Sequence, residues 1–195
     1  MKIARPPKNL EDRVKHIDSI LQSESTRGRV IIAAEVLNVT LAEILMRHFV
    51  ASGDFEQIDK DELLGVNRPL SAFSSRIAAC YRLGLVSETD RKALDYLRQI
   101  RNVAAHECSD LLFEEQKLGD CLGQFVKMVC QDALAALQMT AVGPCPQSCE
   151  EWFTSCCGFL LFKLTDLRDN LQPAVTQFKQ VAFDEEARNS QPHES

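Results

Sequence analysis

Apolar side chains recur every three or four residues along most of this chain, and little interrupts them. Its 195 residues hold only eight glycines and seven prolines, and β-branched runs are short. That period puts one stripe of each segment on a single side of an α-helix, and it does not suit the alternation a strand requires. Residues 9–21 align Leu10, Val14, Ile17, Ile20 and Leu21, with Asn9 as N-cap and Glu11 and Asp12 in the positive first turn. Residues 25–50 are apolar nearly all round, as a central helix covered on several sides must be.

An acidic connector follows, with SGD at 52–54 and IDKDELLG at 58–65. Pro69 suits the first position of a third helix, and Gly84 suits its end. Ser87, with Asp90 three residues on, has the spacing of a capping box for a fourth helix that buries Ala93, Tyr96, Leu97 and Ile100. A fifth spans about 113–139 and is broken at Pro144 and Pro146. Ser148 caps a sixth, which carries Trp152, Phe153, Phe159, Leu160, Leu164 and Leu167. There is no internal repeat. The expected fold is all-α, a compact bundle of six or seven helices, with residues 1–172 as one domain and 173–195 as a polar, partly disordered tail.

A formal charge of −6 and a pI near 5.3 exclude a protein that coats nucleic acid through overall charge. The longest apolar stretch, 30–50, is interrupted by Glu35, Asn38, Glu43, Arg47 and His48, so no membrane span is expected. The first residues lack the apolar core of a secretory signal, which points to the cytoplasm. In a reducing compartment the eight cysteines are not read as disulfides. Cys80, Cys121 and Cys130 sit among apolar residues at helical spacing, as small hydrophobes do. Cys145, Cys149, Cys156 and Cys157 run C-x3-C-x6-C-C, a poor match to paired zinc ligands, so helix packing is the better reading and no metal or cofactor is expected.

Charge is unevenly spread. Between residues 68 and 106, seven basic residues face three acidic ones, a local +4 that leaves −10 for the rest of the chain. A basic surface of this kind could hold a polyanion through Arg76, Arg82 and Arg98. Solvated helix faces would give the same pattern, with Asp95 pairing with Arg91 or Arg98.

The segment ends in Arg101-Asn102-x-x-Ala105-His106. Asn102 and His106 are four apart and share a face with Arg98. Arg101 is about 140° round an ideal helix from His106, so a long side chain or a second subunit must bring the two together. Those groups suit RNA cleavage by 2′-hydroxyl attack: His106 moves protons, Arg101 stabilises the charged phosphorane and Asn102 orients. A structural role would instead pair Asn102 and His106 with Glu35 and Asn38 on the second helix.

Residues 26–106 resemble the mannitol operon repressor family. The resemblance is carried by Asn67-Arg68-Pro69-Leu70, Phe73-Ser74-Ser75-Arg76-Ile77, Tyr81-Arg82-Leu83-Gly84-Leu85 and the run from Ile100 to His106, in that order, after a similar long second helix. The last 90 residues match only as generic amphipathic helices. That family is similar in turn to the HEPN class of small helical domains, whose Arg-x4-6-His motif is met by Arg101, Asn102 and His106. The resemblance implies a homodimer and a regulator in transcriptional control. No helix-turn-helix is evident, so such a regulator would act through a protein partner rather than by reading an operator. Its alternative implication is a metal-independent endoribonuclease acting on RNA, with the motif paired across the dimer.

Overall fold

Helix α4, Glu88–His106, begins where the sequence places its cap. Ser87 accepts from the Asp90 backbone N–H at 3.1 Å, and Asp90 accepts from the Ser87 backbone N–H at 3.2 Å, so two otherwise orphaned donors are satisfied reciprocally. The computed structural model describes residues 10–49, 58, 60–107, 113, 116–137, 147–172 and 174. Within them lie α1 (Leu10–Ser23), α2 (Thr26–Phe49), α3 (Phe73–Arg82), α4, α5 (Gln116–Leu137) and α6 (Cys149–Asn170), and no strand. The expected cap at Asn9, the prolines at 144 and 146, residues 52–54, Cys108, Cys145 and all of the 173–195 tail but Ala174 lie outside the described residues.

α2 is the centre of the bundle, packed against α1, α3, α4 and α6. Val30, Ala33, Leu37, Leu41, Ile44 and Leu45 are all buried. Thr40 is buried too, and its hydroxyl donates to the Val36 carbonyl one turn back at 2.9 Å. Ile17 and Leu21 seat α1 on this core. α4 turns Leu94, Leu97 and Ile100 inward and packs along α5, which presents Leu118, Leu122, Phe125 and Val129. Phe153 of α6 meets Phe113 and Phe125 at ring-centroid distances of 5.2 and 6.0 Å. Gly119 lets α5 approach that cluster, because a Cβ there would lie 3.0 Å from the Phe113 carbonyl oxygen.

α3 starts four residues later than Pro69 predicts. Residues 61–71 use their backbone in turns instead: Leu70 N–H donates to Leu63 O at 2.8 Å and Ser71 N–H to Arg68 O at 3.0 Å. Asn67 sits at φ 59, a conformation Asn tolerates and a helix does not. The far end behaves as the sequence implies. Gly84, at φ 71, donates to Tyr81 O, and Leu85 donates to Cys80 O, the two bonds of a Schellman cap.

Ion pairs tie the ends of the bundle together. Arg168 on α6 bonds Glu43 on α2 and Asp169, and its guanidinium is further stabilised as a cation by those carboxylates against the opposing effect of burial. Lys163 reaches Asp90 at 2.9 Å, joining α6 to the cap of α4. No described helix is long and apolar enough to cross a membrane.

Candidate functional site

The late start of α3 leaves a cleft of about 350 Å3 between α2, residues 71–74 and the second half of α4. α2 contributes Ala34, Glu35 and Asn38 to its wall, and α4 contributes Arg98, Arg101 and Asn102. The floor is the small-residue approach to α3, Ser71-Ala72 and Ser74, beside Phe73. Ala72 occupies the N-cap position of α3 and offers no side-chain acceptor, so the first-turn N–H groups of that helix are left without a cap.

Arg76 holds this cleft open without lining it. Only 7% exposed, it donates from Nε to Leu70 O at 2.8 Å, from Nη2 to Leu64 O at 2.8 Å and from Nη1 to Asn38 Oδ1 at 2.9 Å. One guanidinium therefore clamps the 61–71 turns to α2 with its fork of fixed donors. Expected on the surface as a nucleic-acid contact, Arg76 instead lies in the interior, where oxygens of Leu64, Leu70 and Asn38 accept its hydrogen bonds. Helical spacing does not foretell this, since the acceptors are the Leu64 and Leu70 carbonyls and the carbonyl and amide oxygens of Asn38, 38 residues upstream.

The other two arginines of that expectation separate. Arg82 is exposed on the last turn of α3 and lies outside the cleft. Arg98 lines the cleft and is half-buried, held by Asp95 at 3.4 Å. Asp95 also pairs with Arg91 at 3.0 Å, so both ion pairs foreseen from helical spacing are present. Arg91 in turn covers Tyr81, its guanidinium carbon 5.1 Å from the ring centroid.

The Arg-Asn-x-x-Ala-His run is divided. Arg101 and Asn102 reach the cleft and touch, Arg101 Nη1 donating to Asn102 Oδ1 at 3.4 Å. His106 is exposed on the last residue of α4, outside the cleft. Its expected structural partners are occupied with one another: Asn38 donates to Glu35 at 3.3 Å and accepts from Arg76. Within one chain, then, the described lining of the cleft combines the guanidiniums of Arg98 and Arg101 with the amides of Asn38 and Asn102 but no imidazole.

The described cysteines take packing positions. Cys80, Cys156 and Cys157 are buried, and Cys121, Cys130 and Cys149 half-buried. Burial pushes the Cys80 thiol up to about 12, with Arg76 opposing it weakly, and pushes Cys156 up to about 12 beside Cys130. Such thiols are held as neutral SH groups, the wrong state for a nucleophile or a ligand. Among the described residues no group of three His, Cys, Asp or Glu side chains is arranged to hold a metal ion.

A helical bundle with a polar cleft beside a buried arginine clamp is the class the geometry defines. No family model matches the sequence, and no curated protein does. Among solved structures the fold is similar to that in the X-ray structure of the MtlR–HPr complex from Escherichia coli, with a TM-score of 0.55 and 19% identity over 80% of this chain and 97% of that one. At that identity the likeness is one of fold.

Proposed function

We infer that this chain is a regulatory protein that works by binding another protein, in the manner of a mannitol operon repressor. The observation that carries this reading is the fold shared with MtlR, a protein whose structure was solved in complex with HPr. The ordered motifs of residues 26–106 point to the same family. The surface suits a protein partner: Ile31 and Val39 are exposed on α2 on either side of Glu35, and Val66 is 69% exposed in the turn that Arg76 clamps against α2. The control exerted is transcriptional, and the chain acts as a homodimer in the cytoplasm without direct operator reading. Titrating the purified chain with HPr by calorimetry tests the partner. Saturable binding that Val66→Asp weakens is expected, and a folded chain that takes up no heat with HPr overturns the reading.

A second reading, a HEPN-type endoribonuclease, is favoured by one observation: Arg101 and His106 are both exposed near the end of α4, where a second copy could pair them. Incubating wild type and His106→Ala with total cellular RNA, without added metal, separates the two. Cleavage by the wild type alone establishes the nuclease, with Arg101 on the phosphorane, Asn102 orienting and His106 moving the proton.

A further inference from the structure

The cleft between α2, α3 and α4 gathers hydrogen-bond donors that the chain itself does not use. Arg98 and Arg101 reach it from the same helix, one turn apart. Asp95 holds Arg98, but Arg101 is exposed, and among the described residues it bonds only the Asn102 amide. The hydroxyls of Ser71 and Ser74 line the same space and make no hydrogen bond among the described residues. Against these stands a single lining carboxylate, Glu35, already taken by the Asn38 amide at 3.3 Å. The uncapped first turn of α3 adds N–H groups to a site the arginines already define.

Two guanidinium groups on one wall match one dianionic phosphate, each able to offer paired donors to its oxygens. Hydroxylated ligand atoms would find acceptors at the Glu35 carboxylate on the facing wall and at the Asn102 carbonyl beside the arginines. Glu35 would repel a second phosphate. The volume, about 350 Å3, is near the lower end for small-molecule sites, which run from about 300 to 1,000 Å3. It is a pocket for a metabolite, not a track for a nucleic-acid strand.

We propose that this cleft binds a small hydroxylated phosphomonoester, with Arg98 and Arg101 on the phosphate and Glu35 and Asn102 accepting hydroxyls. The site is independent of whether the chain has a protein partner, so neither conclusion falls with the other.

Calorimetric titration with inorganic phosphate, ribose 5-phosphate and AMP at low salt tests it. The two organic phosphates should bind about tenfold tighter than inorganic phosphate, and whichever of them binds better identifies whether a base belongs to the ligand. Arg101→Ala should weaken binding by about tenfold or more with an unchanged melting temperature, since its side chain is exposed. Arg82→Ala removes another exposed cation, outside the cleft, and should leave affinity unaltered. No binding, binding insensitive to Arg101→Ala, or equal losses in the two variants would each overturn the proposal. So would inorganic phosphate binding as tightly as the organic esters, or an oligoribonucleotide displacing them at lower concentration.

Discussion

The approach to α3 and the interface of α5 with α6 both bury chemically capable side chains, with opposite results. On α6, Cys156 and Cys157 are buried, Cys156 beside Cys130 of α5, and burial raises both thiols out of their reactive range. The sulfurs there are small apolar volume. Before α3 the buried group is Arg76, and each of its three nitrogens meets an oxygen. The cation keeps its charge and becomes a brace for turns that would otherwise be loose. Burial silences a group that can lose its charge to a proton. It turns one that cannot into architecture, provided acceptors are waiting.

That contrast has consequences for stability. Phe153→Ala empties the aromatic centre of the α5–α6 interface and should cost about 4 kcal/mol in urea unfolding, the scale of a buried Phe truncation. Loss should be global, because the cavity adjoins α5 and the Phe113 turn at once. Arg76→Ala should cost about 3 kcal/mol, since it leaves the Leu64 and Leu70 carbonyls and the Asn38 amide oxygen without their donor. Its damage should be local first, with amide exchange in 61–71 rising before that of α5. Exchange that rises evenly across the molecule would show that Arg76 is ordinary core, and the distinction between the two regions would go.

Alkali probes the thiol side alone. With the Cys80 and Cys156 thiols raised from 9.0 to about 12, the folded state holds protons that the unfolded chain gives up near pH 9. Their contribution is therefore fully present below pH 9 and is lost as pH climbs toward 12. By pH 10 each should have cost about 1 kcal/mol. Cys80→Ala should flatten part of that slope, whereas a variant at the exposed Arg82 should not.

How far the sequence foretold each region follows from the range of the forces involved. The Ser87–Asp90 box, the Ser148 cap and the Gly84 ending are local, set by residues within about five of each other, and the structure has them where they were expected. The described cysteines were legible as packing residues for the same reason, through helical period. Pro69 misled because turns at 61–71 compete with the helix for the same backbone donors. Arg76 was illegible in principle: its acceptors come from α2 and two separate turns, a meeting that only the tertiary fold creates. The cleft shares that origin. Part of it was foreseen, since Arg98 shares a face with Asn102 and Glu35 and Asn38 stand across from it as expected, but the fold leaves His106 outside and brings in Ser71–Ser74 instead.

The smallest effect is expected at Asp95, and it separates scaffold from site most cleanly. Asp95 is only half-buried, and its pairs with Arg91 and Arg98 are three and four residues apart on one helix. Such pairs contribute modestly, so Asp95→Asn should cost less than about 1 kcal/mol, well below the loss at Arg76. The same change removes a negative charge from beside the Arg98 guanidinium while leaving the shape of the side chain. Phosphoester affinity should then rise, by about two- to threefold at low salt, and the gain should fade as salt screens the exposed charges. A large stability loss would mean that Asp95 and Arg98 belong to the framework as Arg76 does. A fall in affinity would mean that Asp95 aims Arg98 into the cleft, making the carboxylate a positioning group for the very ligand its charge opposes.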